Sequence, residues 1–157
     1  MAKRAIVALS LLDVEYIAFR LAETLMEYGE PFPSFNTRYP DRLESCLDTP
    51  FTKLYNKSMY LGVEHKASML FYLMIKNHPF QNGNKRVAVA TLLYFLNANG
   101  RWIDIGAYDL YLFAREVAES DASRMKEEIE RIQEFLKKHV IPLDNKDQAD
   151  DDTAATG

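Results

Sequence analysis

The chain has 157 residues, of which 48% are hydrophobic, and its formal net charge is −4. This length favours one domain with a sizeable core, and the composition is ordinary for a soluble globular protein. A single cysteine, Cys46, excludes an internal disulfide and fits a reducing compartment such as the cytoplasm. No apolar run approaches the roughly 18–20 residues that cross a bilayer, so we expect no membrane partner.

The negative charge is concentrated at the C-terminus. Residues 144–157 contain five Asp and one Lys, which leaves 18 acidic and 18 basic residues in the rest of the chain. A neutral body with an acidic tail argues against direct binding of nucleic acid, which requires a basic face. We predict one domain over residues 1–143 and an acidic, disordered tail over residues 144–157.

Apolar residues recur at helical spacing along most of the chain and predict an all-α bundle of about six helices. The first is expected over residues 13–28, with Asp13 as a possible cap, and a loop rich in proline follows over residues 29–40. The remaining helices are expected at residues 41–47, 63–77, 84–97, 107–120 and 121–139. We expect residues 101–105 to form a short connection.

Residues 51–62 interrupt the helical pattern. Asn56-Lys57 is a weak signal for the turn of a small β-hairpin-like segment there. Taken alone, the pattern indicates no more than a surface loop.

The stretch with the most chemistry is HPFQNGNKR, from His78 to Arg86. His78 can move a proton near neutral pH, because a free imidazole titrates at about 6.5. Pro79 ends the preceding helix and predicts extended backbone at His78. Phe80 is a large apolar side chain in a polar run, so we expect it to point into the core and anchor the loop.

The second half of this stretch offers groups that bind anions. Asn82, Gly83 and Asn84 tolerate a tight left-handed backbone and can present consecutive N–H groups. Lys85 and Arg86 then add two positive charges at the start of a helix, where they oppose the macrodipole unless an anion is bound. A base, an anion nest and two cations together suggest chemistry on a phosphate.

This stretch resembles the signature of the Fic/Doc superfamily, H-x-F-x-[D/E]-G-N-G-R. In the Doc branch the last glycine is replaced by lysine. The matching positions here are His78, Phe80, Gly83, Asn84, Lys85 and Arg86. The likeness covers roughly residues 10–120, including Leu43-Glu44-Ser45 with Pro50, the helix before the motif, and the segment from Phe95 to Gly100.

The resemblance implies a Fic/Doc-like helical domain that uses ATP or another nucleoside triphosphate, with Mg²⁺, to modify a hydroxyl group of a protein target. It makes His78 the general base, and it assigns nucleotide and phosphate binding to Gly83, Asn84, Lys85 and Arg86. Asn82 departs from the pattern, because it stands where the family usually carries an acidic metal ligand. The segment before the motif helix would be a flap that aligns the target by strand pairing.

Lys85 favours transfer of the terminal phosphate, as in a Doc-like toxin that acts on a translation factor, over the AMP transfer typical of Fic proteins with glycine there. Two alternatives remain open: a Fic-type adenylyltransferase, and a binding module whose chemistry is weakened by Asn82. The Fic inhibitory motif, [S/T]-x-x-x-E-[G/N], has no full match in this chain. By resemblance to Doc, restraint would come from a separate antitoxin protein.

Overall fold

The computed structural model describes residues 5–25 and 34–144. This part of the chain forms six helices. Helix α1 runs from Leu11 to Leu25 and consists of Leu11–Asp13, a π-helical segment at Val14–Ala18, and Phe19–Leu25. The other five are α2 at Pro40–Asp48, α3 at Gly62–Lys76, α4 at Asn84–Ala98, α5 at Ala107–Glu119 and α6 at Met125–His139. Short 3₁₀ turns occupy Phe35–Thr37, Thr49–Phe51 and Ala122–Arg124. The predicted all-α bundle of about six helices is confirmed. The predicted tail lies outside the described residues beyond residue 144.

Helix α4 lies at the centre of the fold and packs against α1, α3 and α5, while α3 also packs against α6. Its sequence after the first turn is apolar on nearly every side, which is the composition of a helix surrounded by protein. Val87, Ala88, Leu92 and Leu96 are fully buried. No helix among the described ranges has the length and apolar character needed to cross a bilayer.

Helix α1 begins earlier than predicted, and Asp13 is not its cap. Ser10 is the N-cap: its Oγ accepts a hydrogen bond from the Asp13 N–H at 3.2 Å, and Asp13 Oδ2 accepts one from the Ser10 N–H at 2.8 Å. This reciprocal capping box satisfies two donors at the helix start, which neither residue could do alone. The predicted end at residue 28 lies outside the described residues.

The predicted β-hairpin is present, with strand β1 at Lys53–Leu54 paired antiparallel to β2 at Lys57–Ser58. Its turn lies one residue earlier than predicted, at Tyr55 and Asn56, which have φ of 51° and 63°. Left-handed backbone at both turn residues matches the right-handed twist of the two strands.

The predicted connection over residues 101–105 contains a strand. Strand β3 at Arg101–Ile103 pairs antiparallel with β4 at Val140–Pro142, and Trp102 lies opposite Ile141. These partners are distant along the chain, so local periodicity carries no signal for the pairing.

Lys66, near the start of α3, fixes the base of the hairpin. Its buried ammonium group donates to Ser58 Oγ at 2.8 Å, to the Pro50 carbonyl at 3.3 Å and to the Tyr60 carbonyl. The hairpin is therefore tied to the N-terminal end of α3 through a charge-assisted cluster.

Cys46, on α2, is fully buried. Burial raises the pKa of its thiol from 9.0 to about 12, and a hydrogen bond with Asn77 lowers it by a smaller amount. Cys46 is thus a packing residue, because a buried thiol that keeps its proton is a poor nucleophile.

We expect Cys46 to contribute to a loss of stability in alkali. Between pH 9.0 and about 12 the unfolded chain releases the thiol proton while the folded chain keeps it. Stability then falls with rising pH by up to about 1.4 kcal/mol per unit from this group. Cys46→Ala should remove that part of the slope when urea unfolding is compared between about pH 8 and about pH 10.5. Equal alkaline slopes for parent and variant would contradict the burial of this thiol.

Candidate functional site

The motif loop, residues 77–83, joins α3 to α4 and is closed by the side chain of Asn84. Asn84 Oδ1 accepts from the Phe80 N–H at 2.9 Å, and Asn84 Nδ2 donates to the Phe80 carbonyl at 2.9 Å. Asn84 is buried, so these bonds are shielded from water. The carboxamide therefore organises the loop, and the backbone N–H is the group that Asn84 can offer to a phosphate.

Phe80 anchors the loop from below. Its ring is fully buried, and its centroid lies 5.5 Å from that of Phe19 on α1 and 5.9 Å from that of Phe35. The Phe19 and Phe35 rings also meet edge to face at 5.5 Å. This three-ring cluster joins the motif loop to α1 and to the turn before α2.

The backbone of His78 is left-handed, with φ of 47°, so the predicted extended conformation is wrong. Such a conformation costs energy in a residue other than glycine and persists when its surroundings hold it. Two contacts from α2 do so: Arg42 Nη1 donates to the His78 carbonyl at 3.4 Å, and the Tyr39 N–H donates to the Pro79 carbonyl at 2.8 Å. Pro79 disfavours this backbone conformation at His78, but the tertiary contacts to the carbonyls of His78 and Pro79 outweigh that preference.

The imidazole of His78 is exposed, and its Nδ1 lies 3.5 Å from Asn84 Nδ2. This distance exceeds that of a strong hydrogen bond, so the contact orients the ring without fixing its tautomer. The Nδ1 edge faces Asn84, which leaves Nε2 as the nitrogen for an incoming group. Asn84 Nδ2 is a donor, so this contact is a hydrogen bond only when Nδ1 is unprotonated and Nε2 carries the proton. For Nε2 to accept a proton, the neutral ring must instead carry its proton on Nδ1, which places an N–H beside the Asn84 amide nitrogen.

Gly83 is the N-cap of α4 and has φ of 70°, which suits glycine because it has no Cβ. The first turn of α4 follows directly, and the start of a helix favours anions through its backbone N–H groups and the positive end of the helix dipole. No acidic residue lies in that turn. The loop and helix start together can accept an anion.

The two cations of the motif have different surroundings. Lys85 is partly exposed, whereas Arg86 is only 4% exposed and its Nη2 donates to the Ala22 carbonyl of α1 at 3.4 Å. Arg86 is therefore a buried cation at the start of α4 that links this helix to α1.

Asn82 is exposed at the top of the loop. Within residues 5–25 and 34–144, no group of three or more His, Cys, Asp or Glu side chains is placed to hold a metal ion. The described protein groups do not form a preformed metal cage around Asn82.

Sequence reasoning missed Tyr39 and Arg42. They lie 39 and 36 positions before His78, outside any local motif, and reach the loop because α2 begins beside it. The resemblance includes Leu43-Glu44-Ser45 in α2, but it does not indicate that Tyr39 and Arg42, just before these residues, contact the loop.

Residues 9–96 match the model of the Fic/DOC family. The match covers more than half of the chain and includes all of the stretch His78–Arg86. The chain belongs to the Fic/DOC family. Its members are typically transferases of nucleotidyl or phosphate groups. No curated protein and no solved structure matches the chain significantly.

In this Fic/DOC protein the hairpin base and the motif loop lie at opposite ends of α3. The Phe51 ring, beside the hairpin, contacts that of Phe95 near the C-terminal end of α4 at 6.2 Å. Helix α3 has 15 residues and spans about 22 Å. A flap role for the hairpin remains a prediction, since it depends on how a target chain would extend from there to His78.

The closure of the motif loop by Asn84 can be tested by removing the carboxamide. Asn84→Ala should lower the free energy of unfolding by about 2–4 kcal/mol, because two buried backbone groups of Phe80 lose their partners. The matched control is Asn82→Ala, an exposed asparagine in the same loop, which should change stability by less than about 0.5 kcal/mol. Urea unfolding measures both, and equal losses would show that the carboxamide does not hold the loop.

Proposed function

We propose that this Fic/DOC protein is a Doc-like toxin that transfers the terminal phosphate of a nucleoside triphosphate to a hydroxyl group of a protein target of the translation factor class. One observation carries the proposal: an exposed His78 is held beside the anion-binding start of α4. Lys85, at the position where Fic proteins carry glycine, favours the phosphate over the AMP group.

In this reaction His78 Nε2 takes the proton of the target hydroxyl as its oxygen attacks the γ-phosphorus. The bond between that phosphorus and the β–γ bridging oxygen breaks, and the nucleoside diphosphate leaves with its electron pair. The proton stays on the imidazole until solvent removes it. The exposure of His78 supports this role, because a target hydroxyl can approach the imidazole from solvent.

The chain's remaining contribution is positioning and neutralisation of charge, which dominate phosphoryl transfer. The N–H groups at Gly83 and Asn84 would bind phosphate oxygens at the helix start. Lys85 would bind the terminal phosphate near His78, while the buried Arg86 would add positive charge at the start of α4.

Mg²⁺ would be held mainly by the phosphate oxygens of the nucleotide and by water. The exposed amide oxygen of Asn82 can supply one neutral ligand, which is weaker than the carboxylate of the family pattern. The ion neutralises charge on the phosphates when bound.

A protein with this activity needs restraint, and we propose that a separate antitoxin protein provides it in the cytoplasm. The absence of the Fic inhibitory motif from the sequence supports an external partner. The buried reduced thiol of Cys46 is in keeping with that compartment.

His78→Ala should abolish transfer, with a loss of about 10²–10⁴-fold, because no other group replaces the base. Mass spectrometry of the target after incubation with ATP distinguishes a gain of phosphate from a gain of AMP. The control is His65→Ala, which removes a histidine near the other end of α3. Undiminished transfer by folded His78→Ala protein would refute the proposed role, and an AMP gain by the parent would replace the kinase reaction with adenylyl transfer.

Lys85→Gly tests the choice between the two reactions. Loss of one charged contact to the terminal phosphate, worth about 1.5–3 kcal/mol, should slow phosphate transfer about ten- to a hundredfold. The space left by the side chain should also allow some AMP transfer, seen in the same mass spectra. A variant that transfers phosphate as fast as the parent shows that Lys85 does not select the reaction.

A further inference from the structure

One arginine outside the motif lies against the motif loop. Arg42, in the first turn of α2, donates from Nη1 to the His78 carbonyl at 3.4 Å. Tyr39, the N-cap of the same helix, donates its N–H to the Pro79 carbonyl at 2.8 Å. The start of α2 is thus attached to the carbonyl of His78, which carries the imidazole, and to the carbonyl of Pro79, the next residue.

The side chain of Arg42 is exposed but ordered by stacking. Its guanidinium carbon lies 4.4 Å from the centroid of the Tyr39 ring. Stacking on an aromatic face fixes the guanidinium plane and leaves its edge available for hydrogen bonds. The contacts in the described part of the chain use one of its several N–H donors, and they include no ion pair with a carboxylate.

Arg42 and Arg86 approach the loop from different elements and in different surroundings. Arg86 is buried and donates to α1, whereas Arg42 stands in solvent next to His78. A planar, pre-ordered guanidinium is the side chain best suited to bind a phosphate through two parallel hydrogen bonds. A phosphate held near His78 would lie within reach of such a group.

We propose that Arg42 is a phosphate-binding residue of this site, which binds the polyphosphate of the nucleotide from the side of α2. The inference deepens the proposed function and rests on it for the identity of the ligand. It adds a residue from outside the motif and gives the start of α2 a role in binding as well as in holding the loop.

The test measures binding of ATP and of inorganic tripolyphosphate by calorimetry, without any target protein. Arg42→Gln should weaken both about ten- to a hundredfold, as expected for loss of charged hydrogen bonds. Arg42→Lys keeps the charge without the planar fork and should lie between parent and Arg42→Gln. The matched control is Arg131→Gln, because Arg131 is an exposed arginine on α6 that also stacks on a ring, that of Phe113, at 4.8 Å.

A purely structural role would give a different pattern. If Arg42 only holds the His78 carbonyl, Arg42→Gln slows transfer while its affinity for tripolyphosphate equals that of the parent, and the proposal is overturned. A parent protein that binds neither probe overturns it as well. Binding that depends on Arg42 in a protein that transfers no phosphate would sustain this inference and reject the proposed function, so the two failures are distinguishable.

Discussion

The site depends on one buried carboxamide. Asn84 is the first residue of α4, and its two hydrogen bonds to the backbone of Phe80 close the motif loop before the helix starts. Without these bonds the buried N–H and carbonyl of Phe80 would have no hydrogen-bond partner, which is costly away from water. The same side chain lies 3.5 Å from His78 Nδ1, so a single group closes the loop and contacts the imidazole.

Three helix ends meet around this carboxamide: the end of α3 and the starts of α2 and α4. The Phe80 ring holds the loop in the core below, while Tyr39 and Arg42 hold its carbonyls from outside. Support from several elements explains how His78 can keep a left-handed backbone, since a conformation of this kind requires surroundings that over-determine it. Because the loop is attached to these helices, it positions His78 more rigidly than a free surface loop would.

Much of the architecture could be predicted from local pattern. Apolar spacing located the six helices because each buries one face or, in α4, nearly its whole surface. Several details failed, each for its own reason. The cap of α1 is Ser10 and not Asp13, because the two residues form a reciprocal capping box in which Asp13 is the third residue of the helix. The pairing of β3 with β4 was missed because its partner lies far along the chain. The backbone of His78 departs from the preference before proline because contacts from α2 outweigh it.

The sequence by itself determined the family, the helical class and the residues of the motif, because a fixed spacing of histidine, glycine and two cations before an apolar helix is a local property. Only the tertiary structure decided how these residues are used. It showed that the Asn84 side chain binds the loop, that Arg86 is buried against α1, and that Arg42 lies beside His78. Burial and contact between distant segments depend on how helices pack, and no window of the sequence contains that information.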